Sequence, residues 1–201
     1  NFRLVDWKDE GAMVQSPAVA ILIQHPTLGN ILYDTGNCED FSAVYTEEML
    51  HDYPITEMIS IQEALAQKGL TPDDIDLIIL SHLHFDHAGG LKHFVGTKAI
   101  RRVLVSEADL KNAYWSVMTG NGGAYIRSLF DVEGIQFQTI RETTKLAEDL
   151  ELFIQASHTP GVIGMVLKTD HHGTILTTSD TIYTAESYEK ELPPGGTINK
   201  T

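Results

Sequence analysis

Four side chains of metal-binding type stand within one short segment, residues 81–90. They are His82, His84, Asp86 and His87, and imidazole and carboxylate together suit Zn²⁺ and related first-row divalent ions. Residues 75–80, just before them, form an apolar run of strand length, which predicts a strand buried on both faces in the middle of a sandwich. We therefore expect the four side chains on the loop that leaves a core strand, where a rigid scaffold directs them into a cleft.

Three other short stretches place polar residues at the ends of predicted strands. Asp34-Thr35-Gly36 closes a predicted hairpin, His158-Thr159-Pro160-Gly161 follows a predicted strand over residues 152–157, and Asp180 ends another. A turn aspartate or a lone histidine has little specificity by itself. These stretches gain meaning only together with the histidine-rich segment.

Together these residues resemble the metallo-β-lactamase superfamily, a group of mostly dinuclear metal hydrolases. The motif His82-x-His84-x-Asp86-His87 carries most of the resemblance, and the stretches at Asp34, His158 and Asp180 extend it through most of the chain. Residues 81–90 with Asp180-x-x-Tyr183 are similar to the N-acyl homoserine lactonase branch. The resemblance implies an α/β fold, the αββα sandwich of this superfamily.

The resemblance also implies a set of metal ligands. One ion takes His82, His84 and His158, the second takes Asp86 and His87, and the Asp180 carboxylate bridges the two. Two Zn²⁺ ions are expected, with Fe or Mn as alternatives. Asp34 is expected behind the site, orienting a ligand histidine.

Two positions depart from the superfamily pattern. Ser157 stands where a glycine often precedes the last histidine of the first site, and no histidine follows His172, although the second ion normally receives one there. The sequence therefore predicts a chain truncated at its C-terminus or an incomplete second site. It further predicts that the first ion binds tightly and the second more weakly.

The function implied by the resemblance is metal-dependent hydrolysis that opens a lactone ring of the N-acyl homoserine lactone type. A metal-bridging hydroxide attacks the carbonyl, Tyr183 donates a hydrogen bond to the substrate, and Asp86 carries a proton to the leaving alkoxide. Two alternatives stay open: another hydrolase of the superfamily, acting on a thioester or other ester, and a non-catalytic metal-binding domain.

Length and charge limit the class of partner. The chain has 201 residues, which indicates one domain over 1–201. Its net charge of −14 disfavours a nucleic-acid partner and favours a small neutral ester or lactone as substrate. No apolar run reaches the length of a membrane span, no signal peptide is recognisable, and Cys38 is the only cysteine. We therefore expect a cytoplasmic protein.

Several local expectations concern the rest of the chain. The first hairpin is predicted from residues 14–23 and 31–33, with His25 exposed beside its turn and His93 exposed after the metal-binding loop. Residues 39–61 are predicted as inserted helices, read either as a lid over an apolar substrate pocket or as surface helices with a core stripe.

Overall fold

The computed structural model describes residues 15–192, and two β-sheets pack face to face within them. The first sheet has the order β1-β2-β3-β4-β5, in which β1 and β2 are antiparallel and the other neighbours are parallel. The second sheet is antiparallel, with the order β6-β7-β8-β9. The strands are β1 Ile21–His25, β2 Gly29–Tyr33, β3 Leu77–Ile79, β4 Val103–Ser106, β5 Phe137–Ile140, β6 Thr144–Ala147, β7 Leu150–Gln155, β8 Val162–Thr169 and β9 Gly173–Thr177.

The helices of the described range are α1 Phe41–Val44, α2 Glu47–Asp52, α3 Ile61–Ala66, α4 Phe85–Ala88, α5 Glu107–Met118, α6 Arg127–Phe130 and α7 Ala185–Glu189. The first six lie in the connections between parallel strands, which a tight turn cannot join, and α7 follows β9. Short 3₁₀ helices lie at Pro72–Asp74, Leu91–Phe94, Ala99–Arg101 and Ser179–Thr181. Within the described range, no helix is long and apolar enough to span a bilayer.

Apolar side chains fill both faces of the first sheet. One cluster lies between the two sheets and includes Ile31, Ile79 and Leu152, all fully buried. A second cluster joins the other face of the first sheet to the helices, through residues such as Ile78 and Phe94. The prediction that the strand before the histidines is buried on both faces is confirmed, because β3 alternates its side chains between these two clusters.

A buried hydroxyl group links the two sheets. Tyr33 is buried on β2, and its hydroxyl donates a 2.5 Å hydrogen bond to the carbonyl oxygen of Ile163 on β8. Burial, followed by the charge of Asp34, raises the pKa of Tyr33 far above its usual value, so the phenol stays a donor.

We expect Tyr33→Phe to lower the free energy of unfolding by about 1–2 kcal/mol, because the buried carbonyl loses its partner while the ring packing is kept. Urea denaturation measures the change. Tyr188→Phe is the matched control, since Tyr188 is 72% exposed, and it should leave stability unchanged. Equal stability of both variants would contradict the proposed role of the hydroxyl.

Two local predictions in this region are wrong. The first strand begins at Ile21, because its pairing with β2 covers only Ile21 to His25; Val14 lies outside the described residues. His25 is buried and not exposed. Its Nδ1 accepts hydrogen bonds from the backbone of Thr27 and Leu28, and its Nε2 lies 3.0 Å from Asp149 Oδ1.

The prediction that His93 is exposed is also wrong, since its side chain is only 11% exposed and its Nε2 lies 3.5 Å from Glu39 Oε2. The helices α1 and α2 do form, and they rest on a small apolar cluster that includes Tyr45, Phe85 and Leu129. The proline and glycine residues in the segment 191–196 also predict a loop there, and most of that segment lies outside the described residues.

Candidate metal centre

The site forms where neighbouring parallel strands end. Strands β2, β3 and β4 are adjacent and parallel, so their carboxyl ends meet at one edge of the sheet. Asp34 follows β2, the histidine-rich loop follows β3, and α5 follows β4. The second sheet adds the loop between β7 and β8, which carries His158, and the 3₁₀ helix after β9, which carries Asp180.

Three ring nitrogens converge at this edge. His82 Nε2 lies 3.1 Å from His84 Nδ1, and His158 Nε2 lies 3.0 Å from the same atom. Nitrogens bound to one tetrahedral zinc ion lie about 3.3 Å apart, given metal–nitrogen distances of about 2.0–2.1 Å. The three histidines predicted for the first ion are thus brought together at the spacing that a metal ion needs.

A second group of potential ligands adjoins the first. Atoms of His82, His87 and Asp180 all lie within 4.8 Å of one another, so His82 belongs to both groups. Asp86, which the sequence placed here, stands beside this group, with its Oδ2 3.5 Å from His87 Nε2. In the part of the chain that the structure describes, no third cluster of this kind occurs.

The carboxylate of Asp180 lies between the two groups. Its Oδ1 is 3.2 Å from His87 Nε2, and its Oδ2 is 3.6 Å from His158 Nε2. One oxygen therefore faces each group, an arrangement that allows the carboxylate to bridge two ions. The hydroxyl of Tyr183 donates to Asp180 Oδ2 at 3.0 Å and lies 3.3 Å from His158 Nδ1, so Tyr183 also faces the cleft.

Asp34 orients two of the histidines from behind. Its Oδ2 lies 2.9 Å from His87 Nδ1 and accepts a 2.8 Å hydrogen bond from the Ser81 hydroxyl. The same hydroxyl lies 3.0 Å from His82 Nδ1. Because Ser81 donates its proton to Asp34, it accepts from His82, and this leaves Nε2 of both rings free to face the site.

Backbone strain is concentrated at the same place. Asp34 and Ser179 adopt positive φ angles of 60° and 47°. Such conformations cost a non-glycine residue of order 1–3 kcal/mol, and Asp tolerates them better than most. Asp34 supports the histidines, and Ser179 is the immediate neighbour of Asp180. Both strained residues therefore lie in loops that form the site.

The pKa shifts of His82, His84 and Asp180 favour the protonation states that bind a cation. Burial, helped by the neighbouring imidazoles, lowers the pKa of His82 and of His84, so both rings stay neutral. Burial also favours the neutral acid at Asp180, but the charge of His87 outweighs it and holds the pKa of Asp180 well below its usual value. Neutral imidazole and ionised carboxylate are the forms that bind metals.

His87 and Asp86 behave differently. Burial disfavours a charged ring at His87, yet the carboxylates of Asp86, Asp180 and Asp34 raise its pKa well above the ordinary value. A cation bound there must therefore displace a proton. Burial raises the pKa of Asp86, and the charge of His87 offsets only part of that increase.

Three residues near the histidines were not singled out from the sequence. Ser81 immediately precedes the motif, and Asp109 was read only as part of the acidic first turn of a helix. Tyr125, whose ring contacts His84 edge-on with centroids 4.5 Å apart, carries no pattern at all. Only Asp109 had a usable signal, because it follows β4, the neighbour of the strand that delivers the histidines.

Comparison with known proteins identifies the family. The profile of the metallo-beta-lactamase superfamily matches residues 14–199. An N-acyl homoserine lactonase from Bacillus sp. is 30% identical over 194 residues, covering 92% of this chain and 72% of that protein. The N-acyl homoserine lactonase AiiB of Agrobacterium fabrum (strain C58) is 28% identical, covering 94% and 71%.

Solved structures show the same relationship. An N-acyl homoserine lactone hydrolase with the product N-hexanoyl-L-homoserine at its catalytic metal centre superposes with a TM-score of 0.78 at 28% identity, covering 95% of this chain and 74% of that one. A mutant of B. thuringiensis AiiA with N-decanoyl-L-homoserine bound gives the same TM-score at 27% identity, with the same coverage. The predicted fold is confirmed by these superpositions, and the chain belongs to the metallo-β-lactamase superfamily, as a metal-dependent hydrolase related to the N-acyl homoserine lactonases.

Proposed function

We propose that this protein opens the lactone ring of N-acyl homoserine lactones with two divalent ions, Zn²⁺ in the first instance. The observation that carries the proposal is the position of Asp180, with one oxygen toward each group of ligands and the Tyr183 hydroxyl beside it. The names of the relatives support the substrate class. The buried, unpaired Cys38 agrees with a reducing compartment, and we extend the proposal to the cytoplasm.

The residues present fit two ions of different affinity. His82, His84 and His158 would hold the first, and His87, Asp180 and Asp86 the second. Bound divalent ions would supply a nucleophilic hydroxide at neutral pH and polarise the carbonyl group of the substrate. Because the Asp180 carboxylate faces both groups, the second ion has only His87 and Asp86 as ligands of its own against three histidines for the first, and we expect it to bind more weakly.

The chain's own residues then handle the charges and protons of ring opening. Burial, followed by the charge of Asp180, raises the pKa of Tyr183 far above its usual value, so its hydroxyl keeps a proton to donate toward the developing oxyanion. Asp86, whose carboxylate stands beside His87, would pass a proton to the leaving alkoxide. Water adds to the carbonyl carbon, the ring C–O bond breaks, and a hydroxy acid is released.

The proposal is tested by loading the purified chain with Zn²⁺, desalting it, and measuring metal content by elemental analysis and ring opening by proton release. We expect two equivalents of zinc, loss of the second on dilution, and hydrolysis of N-hexanoyl homoserine lactone that chelator abolishes. A zinc-loaded protein that cleaves thioesters or simple esters but no lactone would refute the substrate. A zinc-loaded protein that hydrolyses none of them would be a metal-binding domain.

Tyr183→Phe should lower lactone turnover by about 10²-fold, the usual effect of removing one donor to a developing oxyanion. Metal content should stay the same, because the phenol is not among the ligands. Steady-state kcat and elemental analysis measure the two quantities. Tyr188→Phe, on the exposed side chain, is the control and should keep full turnover. Unchanged kcat in Tyr183→Phe would remove Tyr183 from the mechanism.

A further inference from the structure

A buried carboxylate beside the histidines has no part in the mechanism above. Asp109 lies in the first turn of α5 and is 0% exposed. Its backbone N–H donates a hydrogen bond to the hydroxyl of Ser106, the residue that caps the helix. Burying a carboxylate is costly unless hydrogen bonds compensate for the lost water. The hydrogen-bond partners of the Asp109 carboxylate all lie next to the histidines of the first group.

Each partner of this carboxylate adjoins a histidine of the first group. Oδ2 accepts a 2.8 Å hydrogen bond from the backbone N–H of Leu83, the residue between His82 and His84. Oδ1 accepts a 2.6 Å hydrogen bond from the hydroxyl of Tyr125, whose ring rests against His84. Thr159, the neighbour of His158, also lies close enough for its side chain to lower the pKa of the Asp109 carboxyl.

The helix is held to the His158 loop by a second contact. The Ser106 hydroxyl donates a 2.6 Å hydrogen bond to the carbonyl of Gly161. A side chain at Gly161 would meet that hydroxyl at 2.2 Å, so the loop approaches the helix as closely as glycine allows. The first turn of α5 is therefore a common anchor for both loops that deliver the three histidines.

We propose that Asp109 is a positioning residue that sets the geometry of His82, His84 and His158. The inference rests on the proposed metal centre, and it assigns Asp109 no contact with substrate or metal. A carboxylate suits this role because each of its oxygens accepts one of these hydrogen bonds, from the Leu83 N–H and the Tyr125 hydroxyl, and it has no hydrogen of its own to oppose them. An ordinary acidic residue of a helix's first turn would stabilise the helix without affecting metal geometry.

The test compares Asp109→Asn with the parent protein by two measurements that need no substrate. Zn²⁺ affinity is obtained by competition with a chromogenic chelator, and ligand geometry from the visible absorption bands of the Co²⁺-loaded protein. In Asp109→Asn an amide N–H₂ must face either the Leu83 N–H or the Tyr125 hydroxyl. We expect the affinity for the first ion to fall 10- to 100-fold, the usual effect of losing such a support, and the Co²⁺ bands to shift.

Tyr114→Phe is the matched control. Tyr114 lies on the same helix, but its hydroxyl donates to Asp131 at 3.0 Å and its ring packs on Phe130. This variant should keep the parent's affinity and Co²⁺ spectrum. If Asp109→Asn is less stable but binds both metals as the parent does, Asp109 is merely structural and the proposal fails.

Tyr125→Phe keeps the question answerable should Asp109→Asn fail to fold. It removes one of the two donors to the Asp109 carboxylate and keeps the ring on His84, so we expect a smaller loss of affinity and a Co²⁺ shift in the same direction. A spectrum identical to that of the parent would overturn the proposal. Because neither measurement uses a lactone, failure of the lactonase proposal leaves this result readable.

Discussion

Asp180→Asn should reduce lactone hydrolysis by about 10³-fold or more. The two carboxylate oxygens of Asp180 face His87 and His158, and an amide supplies one weak oxygen ligand and one N–H₂ group that repels a cation. Losing a metal's Lewis-acid assistance costs several kcal/mol, and about 1.4 kcal/mol is tenfold in rate. Elemental analysis should show one equivalent of zinc or less, while kcat/KM measures the loss of turnover.

Asp170→Asn is the matched control for this prediction. Asp170 is exposed at the turn between β8 and β9, on the hairpin that leads to Asp180. The control removes the same charge from the same hairpin, so any effect of net charge on substrate or zinc would appear in both variants. Full zinc content and turnover in Asp180→Asn would show that the two groups of ligands act independently of this carboxylate.

The fold class followed from the resemblance of the motifs to the superfamily, and local patterns predicted some of its strands. The apolar run over residues 75–80 favours a strand in the middle of a sheet, and the polar turn over residues 169–173 lies between the paired strands β8 and β9. His25 could not be placed, because its partner Asp149 is 124 residues away and only the packing of the two sheets brings them together. The limits of β1 depended in the same way on pairing with β2.

The candidate ligands were predictable from motif spacing, but their supports were not. The histidines of the motif stand in one segment, so their spacing is visible in the sequence. The supporting residues come together only where the ends of neighbouring strands meet in the folded sheet; they are Ser81, Asp109 and Tyr125. The sequence also grouped Asp86 with His87 and Asp180, while the structure brings His82 into that group and leaves Asp86 beside it.

Gly89, near the end of the motif, lies in close contact with the backbone of neighbouring segments. The φ angle of Gly89 is −61°, which any residue adopts, so its lack of a side chain serves packing and not conformation. A Cβ atom there would lie 2.3 Å from the backbone nitrogen of Cys38 and 2.6 Å from the carbonyl oxygen of Phe85. Backbone atoms cannot rotate away as a flexible side chain does, so the two loops would have to separate.

Gly89→Ala should therefore lower the free energy of unfolding by about 3 kcal/mol, the upper part of the usual range for overpacking. It should also weaken zinc binding, because the loop that Gly89 contacts includes Thr35, whose N–H and hydroxyl both bond to the His87 carbonyl at 2.8 Å. Gly120→Ala is the control: its added Cβ meets nothing within 4 Å, and only its φ of 77° costs energy, about 1 kcal/mol. Urea denaturation of the two metal-free variants compares the steric cost at Gly89 with the conformational cost at Gly120. Competition with a chelator measures the zinc affinity of each variant. If the two variants lose equal stability and both keep the parent's zinc affinity, close contact between these loops is not what holds His87 in place.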